Sequence, residues 1–437
     1  MGSYCGLHFD KLSIVDSKSE VPDDWAALFQ ERDRRESKRT QEVGEDPQLY
    51  VEYVAPRDVI LRRLSILGAT EGATRRAFGA WLANQRADWA DYSERWADND
   101  LMSSHATQII KGLSELTYEE WCRLASDALR TRYDFPNFDR IEKELESNPF
   151  RKQFHDSSDG YLWFAGYGSH IGLRALLDAA PDTKQVRLDI SDLIEGGYIA
   201  EDEPICSRAR ENAPHQIQTL AATMVMAEGS SDLTALRLGL EAMHPDVTDY
   251  FSFFNHAELS VDGGASYLVK FLKAIAAARS TSRILAIFDN DTAGIQAYEQ
   301  AKALKLPFNI IVTRYPDSDV ATAYPTVGPS GPAVLNVNGQ AAGIELYMGR
   351  DALLLEGELR PVRWTGYIAS AGKYQGEVEG KGEVFEAFRK NIAATGSPKA
   401  ARAAFPDLKR VWQHNFDLVE ENAGGAYLRT VERLAKT

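Results

Sequence analysis

Two acidic clusters hold the residues that could do chemistry. Glu228 and Asp232 follow the short apolar run Thr223 to Ala227, and Asp289 and Asp291 follow the run Ile284 to Phe288. Carboxylates gathered at the exits of neighbouring parallel strands cannot all stay ionised unless a cation neutralises them. A donor set made only of oxygen suits a hard divalent ion, Mg²⁺ or Mn²⁺. Asp289 and Asp291 are two apart, so an extended backbone sends both side chains to one side, and Asp232 lies one helical turn beyond Glu228. One or two ions held there would activate water, bind a phosphate oxygen and stabilise a leaving oxygen, the logic of phosphodiester cleavage. Each residue also has a plainer use. Asp291 fits the cap of a helix starting at Thr292, Asp232 complements a helix N-terminus, and Gly263-Gly264 fits a tight turn better than a phosphate cradle.

The elements that must position these acids are legible in the periodicity. From about residue 216, strands predicted at Thr223 to Ala227, Tyr250 to Phe253, Ile284 to Phe288 and Phe308 to Thr313 alternate with helices. One helix carries Leu233, Leu236, Leu240 and Met243, the next Leu268, Phe271, Leu272 and Ile275, and a third spans Ala293 to Leu304. That alternation predicts a parallel sheet covered by helices on both faces, with ligands outside the carboxyl ends of its strands. A Pro/Gly-rich stretch from Tyr315 to Gly343 then leads to Ile344, Glu345 and a mixed C-terminal region. Earlier, Cys5, Leu7 and Phe9 alternate with Gly6 and His8 and are parted from Leu12 and Ile14 by Asp10-Lys11, a small opening hairpin. Pro56 opens a helix that Gly68 closes, and the next helix lines up Phe78, Trp81, Leu82, Trp89, Tyr92 and Trp96 as a core stripe. Helical patterns run on to about residue 180, before a strand at Val186 to Leu188.

Length and composition set the bounds. A chain of 437 residues, 44% hydrophobic and 26% charged, is expected to fold as two or three globular domains. It has no apolar run of the ~18 residues that a membrane span needs, and its start lacks a signal-peptide apolar core and the Ser/Thr of a myristoylation motif, so a cytoplasmic protein with no membrane association is expected. Three cysteines, Cys5, Cys122 and Cys206, are too few and too scattered for a disulfide framework or a four-thiolate zinc site. The net charge of −15 argues against coating nucleic acid by general electrostatics. From residue 346 onward, however, 14 Lys and Arg face 12 Asp and Glu, so the C-terminal segment is the expected contact for a polyanion.

The succession Met224-Val225-Met226-Ala227-Glu228-Gly229-Ser230-Ser231-Asp232, then Asp262-Gly263-Gly264, then Ile287-Phe288-Asp289-Asn290-Asp291-Thr292-Ala293-Gly294 resembles the Toprim domain of topoisomerases, bacterial primases, ribonuclease M5 and the overcoming-lysogenization-defect (OLD) nucleases. The Glu-x-x-x-Asp form and the downstream Gly343-Ile344-Glu345 look most like the nuclease branch. The resemblance implies a Rossmann-like α/β Toprim fold with Glu228, Asp232, Asp289, Asp291 and Glu345 as metal ligands or metal-site acids. Glu228 would also serve as general base, and Asp232 and Glu345 would serve a second metal or an outer shell. It further implies a basic residue that stabilises the transition state, for which Lys381 is the candidate and Lys373 the fallback. The start of the chain, Met1-Gly2-Ser3-Tyr4-Cys5-Gly6-Leu7-His8-Phe9-Asp10, resembles the HEPN/Toprim-associated N-terminal domain, found ahead of HEPN ribonucleases or Toprim domains. Proteins of this architecture are associated with anti-phage defence or toxin action.

The expected organisation is therefore α/β: an N-terminal domain over residues 1–115, mostly helical with a small β-hairpin, a connecting region over 116–215, a Toprim domain over 216–345, and a C-terminal mixed region over 346–437 that completes the active site. The expected activity is Mg²⁺- or Mn²⁺-dependent hydrolysis of phosphodiesters in DNA or RNA. A regulatory or sensor protein partner and a homo-oligomer stay open. Competing readings exist. A HEPN ribonuclease needs an Arg and a His four to six residues apart on a helix, and Arg210 or Arg208 with His215 fits by count, although Pro214 would interrupt the helix; Arg151 with His155 and Arg410 with His414 are one residue short. The run Asp289-Asn290-Asp291-Thr292 also matches the haloacid-dehalogenase (HAD) phosphohydrolases, in which Asp289 would be a covalent nucleophile. That family usually places the motif at the start of its domain. A topoisomerase would need a large tyrosine-bearing domain, a primase a cysteine-rich zinc module, and a dinucleotide-binding protein a Gly-x-Gly-x-x-Gly after a strand. A catalytically silent Toprim scaffold is the non-enzymatic alternative.

Overall fold

The computed structural model describes residues 2–39, 48–131, 143, 145–155, 160–166, 168–212, 221–254 and 264–434. The chain divides into two compact units, Met1–Leu220 together with Ala423–Thr437, and Ala221–Asn422. Of the expected motifs, Asp262, Gly263, Pro214 and His215 lie outside the described residues.

In the first unit, β1 (Tyr4–Phe9) and β2 (Leu12–Lys18) form the expected hairpin, but it is one edge of a larger sheet. With β3 (Arg34–Arg39), β4 (Gln48–Pro56) and β5 (Gln185–Asp189) it builds an antiparallel sheet in the order β2-β1-β5-β4-β3. Leu7, Val51, Tyr53 and Leu188 are buried along it. The Arg57–Ile66 helix ends as expected at Gly68, whose φ of 101° lets its N–H reach the Ser65 carbonyl while Ala69 N–H reaches Leu64, a closure that glycine takes without steric cost. In the Glu71–Arg95 helix the aromatic stripe is core over its first half: Phe78 and Leu82 are buried, Trp81, Trp89 and Tyr92 half-buried, and Trp96 exposed. Phe78 packs edge-on to Tyr118 and Phe164 at 5.4 and 5.5 Å.

The second unit has the expected parallel sheet. β6 (Thr223–Ala227), β7 (Phe251–Phe253), β8 (Ile284–Phe288) and β10 (Ile310–Arg314) lie in the order β10-β8-β6-β7, every pair parallel. All five residues of β8 are buried, which is why Ile284-Leu285-Ala286-Ile287-Phe288 reads as a continuous apolar run instead of an alternation. One face packs Met226, Ala286 and Phe288 against Leu268, Leu272, Ala297 and Ala301 of the Ala265–Ala277 and Thr292–Lys302 helices. At the β7 edge Trp412, fully buried, meets the ring of Phe251 at 5.4 Å and donates its Nε1–H to the Leu236 carbonyl in the Ser230–Met243 helix at 3.1 Å.

Beyond this core the chain is richer in β-structure than its Pro/Gly content predicts. β11 (Tyr324–Gly328) and β12 (Gly331–Leu335) form a hairpin, and β13 (Ala341–Ala342) returns to pair with the two-residue strand β9 (Asn290–Asp291). A short pair, β14 (Leu354–Leu355) and β15 (Glu358–Leu359), precedes the long hairpin of β16 (Val362–Ile368) and β17 (Lys373–Val378), which extends β11 and β12 into a sheet of order β12-β11-β16-β17. The helices Lys381–Ala393, Pro398–Ala404 and Pro406–Leu434 follow. Among the described residues no helix is long and apolar enough to cross a membrane.

Because Trp412 fills the seam between β7 and the Ser230–Met243 helix and its indole N–H is satisfied there, Trp412→Ala is expected to destabilise the second unit by about 3–5 kcal/mol. A urea titration that reads the unfolding midpoint checks this; a shift below about 1 kcal/mol would contradict the packing described.

Candidate functional site

The order of the parallel sheet decides where a site can form. From β6 the chain moves outward to β7, then crosses to the other side of β6 for β8 and outward again to β10, so β6 and β8 flank the topological switch point. At such a point the connections leave in opposite directions and open a crevice outside the carboxyl ends of the strands. Glu228 follows β6 and Asp289 follows β8, one at each lip. Glu228 Oε1 accepts the Asp289 backbone N–H at 3.0 Å, so the residues 61 apart in sequence are in contact.

The other acids arrive by separate routes. Asp232, buried in the first turn of the Ser230–Met243 helix, accepts the Tyr315 hydroxyl at 3.1 Å and is also hydrogen-bonded to the Asp289 carboxyl. Asp291 caps the Thr292–Lys302 helix, its Oδ1 accepting the Gly294 N–H at 2.7 Å, so its plain capping use is realised. Its other oxygen is clasped by the Gln375 side-chain amide, whose Oε1 takes the Ala293 N–H at 3.0 Å. Glu345, buried, is delivered by the pairing of β13 with β9, since Ala342 lies opposite Asn290 three residues earlier. A Cβ built on Gly343 would lie 2.8 Å from Glu345 Oε2 and 3.7 Å from Asp289 Oδ2, so a side chain there would wedge between the two acids. Gly294 is confined in the same way, with Glu228 Oε1 at 2.9 Å and the Asp289 carbonyl oxygen at 2.4 Å from its Cβ position. Lys381, the first residue of its helix, reaches Glu377 at 3.1 Å and Glu345 at 3.8 Å.

All six candidate side chains are thus brought to one place. The fallback Lys373 points instead toward Gly339, beside the groove that flanks the Thr292–Lys302 helix. Gly264 has the positive φ of a turn, 105°, and its N–H donates to the Glu228 carbonyl at 2.7 Å. Arg210 bonds the carbonyls of Cys206 and Phe29, and Arg208 pairs with Glu203, which leaves both basic residues of the Arg-His reading in structural contacts. His414 lies 2.9 Å from the Thr313 hydroxyl, and Arg410 is held by Asp319. Sequence reasoning missed Gln375 and Tyr315, which aim Asp291 and Asp232. It also missed Asn290, fully buried, which accepts from Arg314 at 2.7 Å and donates to Asp317 at 3.0 Å.

Electrostatics follow from this crowding. Burial, with Asp291 and Asp232 adding to it, pushes Glu228 up to about 8 against the relief given by the Asp289 N–H. Burial and Glu345 push Asp232 up to about 6, and burial together with four neighbouring acids raises Asp289 well above the carboxylate range. Glu345 is raised by burial and partly relieved by Lys381. Burial works against the charge of Lys381, but Glu345, Glu377 and Asp289 outweigh it and hold its pKa up. Asp289 Oδ1 is buried without a hydrogen-bond partner. An orphaned carboxylate oxygen amid acids that resist ionising together fits a hard cation in charge and donor type. Among the described residues no three His, Cys, Asp or Glu side chains form a ready cage. Glu228 Oε1, Asp232 Oδ1 and both Asp291 oxygens each accept from a protein donor, which aims these carboxylates.

Comparison with known proteins speaks to the other half of the chain. Residues 1–213 match the family described as HEPN/Toprim N-terminal domain 1, which bears out the resemblance read from the first ten residues. The match ends before the first acid of the site. No curated protein and no solved structure matches the chain.

The raised acids make a signed prediction. A carboxyl whose pKa is higher in the folded than in the unfolded state adds stability that is complete below the unfolded value and is lost as pH rises through the folded one. For Glu228 that window runs from 4.5 to about 8. In metal-free buffer the melting temperature of the wild type, measured relative to Asp289→Asn, should fall across this window, since the amide keeps the shape and removes one charge. Calorimetry over a pH series checks it; a difference that is flat or rises with pH would contradict the cluster's electrostatics.

Proposed function

We propose that this chain, whose first 213 residues form a HEPN/Toprim N-terminal domain, is a metal-dependent nuclease acting through the acids at the β6/β8 switch point. The observation that carries the reading is the hydrogen bond from the Asp289 backbone N–H to Glu228 at 3.0 Å, with Asp232, Asp291 and Glu345 close enough to disfavour the charge of these carboxyls. Asp289 and Asp291 would be the central ligands of Mg²⁺ or Mn²⁺, with Glu228 beside them and Asp232 and Glu345 in an outer or second position. When bound, such an ion supplies Lewis-acid polarisation and charge neutralisation at a phosphate oxygen. The chain's own residues supply the rest. Glu228, at the lip of the crevice beside Asp289, is placed to accept the proton of an attacking water once a bound cation keeps it ionised. Lys381, exposed yet tethered to Glu345 and Glu377, offers a positive charge where negative charge builds on the phosphate.

The competing use of Asp289 as a covalent nucleophile finds less support. That use places its motif at the start of the domain, whereas here Asp289 follows β8, after β6 and β7, with Glu228 already at the other lip of the crevice.

Two outcomes are expected when purified protein is incubated with plasmid, single-stranded DNA and total RNA in Mg²⁺ or Mn²⁺. Asp289→Ala combined with Asp291→Ala abolishes cleavage with an unchanged circular-dichroism spectrum, and Lys381→Ala lowers kcat on the order of 10²-fold to 10³-fold, the effect of losing one transition-state charge contact. Cleavage that survives in the double variant sinks the assignment.

A further inference from the structure

Asp291 is held by a side chain 84 residues further along the sequence, and three successive residues of β17 are fixed so as to bring it there. The Tyr374 carbonyl accepts the Thr292 hydroxyl at 2.6 Å, and the Gly376 N–H donates to the Gln340 carbonyl at 3.2 Å. Gln340 is itself bridged to Asp291, so the backbone on both sides of Gln375 is tied to the surroundings of that acid. Between these ties stands the Gln375 side chain, half-buried. A Cβ on Gly376 would lie 2.8 Å from Val362 Cγ1 and 3.1 Å from the Arg363 carbonyl oxygen, so β17 lies this close to β16 because residue 376 has no side chain.

The amide is used at both ends. The Ala293 N–H is a donor, so it must meet Gln375 Oε1, at 3.0 Å, and this turns Nε2 toward Asp291 Oδ2. The other oxygen of Asp291 accepts the Gly294 N–H at 2.7 Å. One bond on each oxygen fixes the plane of the carboxylate and leaves each a second lone-pair direction for a cation. A glutamate in place of Gln375 would lack the donor, and a lysine would lack the acceptor. The plain use of Gln375 is to cap the helix, since the Ala293 N–H is one of the orphan donors of the first turn. A cap needs the acceptor end alone. The donor end serves Asp291.

We propose that Gln375 is a positioning residue for Asp291, through which the β16–β17 hairpin sets the affinity of the acidic site for Mg²⁺ or Mn²⁺. This rests on the metal-dependent reading of that site. A partner that orients a ligating side chain carries about tenfold to about a hundredfold of metal affinity, because an unaimed carboxylate has to be ordered at the moment of binding.

Calorimetric titration of the full-length protein with Mn²⁺, without nucleic acid, tests this apart from cleavage. Gln375→Ala should weaken Mn²⁺ binding by about tenfold or more. Thr365→Ala removes a hydrogen bond to the Gln375 carbonyl and leaves its side chain alone, so it should bind within about twofold of wild type. Should Gln375→Ala not fold, Gln375→Met, of similar length and without either bond, carries the same expectation. In EDTA, Gln375→Glu keeps the acceptor for Ala293 but sets a carboxylate against Asp291, and it should melt below wild type. A role as cap alone predicts an equal or higher melting temperature, because a carboxylate suits a helix N-terminus, and that result overturns the proposal. Mn²⁺ affinity unchanged in the alanine or methionine variant overturns it as well. So does an equal loss in Thr365→Ala, since affinity would then follow the general order of the hairpin. Wild-type protein that takes up no Mn²⁺ sinks the metal reading itself and the clasp with it, whereas wild type that binds, with Gln375→Ala binding equally well, sinks the clasp alone.

Discussion

Carboxylates forced together out of water set the terms for the second unit. Glu228, Asp232, Asp289 and Glu345 each lose hydration by burial and each raise the energy of the others' charge. A fold does not keep such a group by accident, because replacing any member would relieve repulsion that the remaining packing has to withstand. The surroundings act as counterweights. A backbone N–H meets Glu228, a tyrosine hydroxyl meets Asp232, a helix N-terminus and an amide meet Asp291, and a lysine meets Glu345. One oxygen, on Asp289, is left without any.

The parts that hold these partners are spread along the unit. β6 and β8 supply the lips of the crevice, the β9–β13 pairing brings Glu345 back to it, and the β16–β17 hairpin brings Gln375. The parallel sheet alone would give two acids at a switch point; the later β-structure turns them into a cluster. The C-terminal residues are therefore part of the site's construction, with the Lys381 helix beginning three residues after β17 ends.

Much of this was legible in the sequence, for a physical reason. Strands buried on both faces appear as unbroken apolar runs, and the acid after such a run sits at a strand end, so Glu228, Asp289 and Asp291 announced themselves. Gln375, Tyr315 and Asn290 did not, because a polar residue on a strand or loop has no periodicity to betray a partner dozens of positions away. The first unit shows the same division. β4 turns Val51, Tyr53 and Ala55 inward, an alternation present in the letters, whereas its edge neighbour β3, Arg34-Arg35-Glu36-Ser37-Lys38-Arg39, has no apolar side at all and is a strand only because β4 pairs with it. The sheet of β11, β12, β16 and β17 was hidden by its Pro and Gly, which read as loop.

The division of the chain into Met1–Leu220 with Ala423–Thr437, and Ala221–Asn422, makes the second unit an insertion within the first. Gly424, which belongs to the first, stands with its Cβ position 3.1 Å from the Thr70 hydroxyl. During vectorial synthesis the contact of Gly424 with Thr70 therefore forms only after the whole inserted body has been translated.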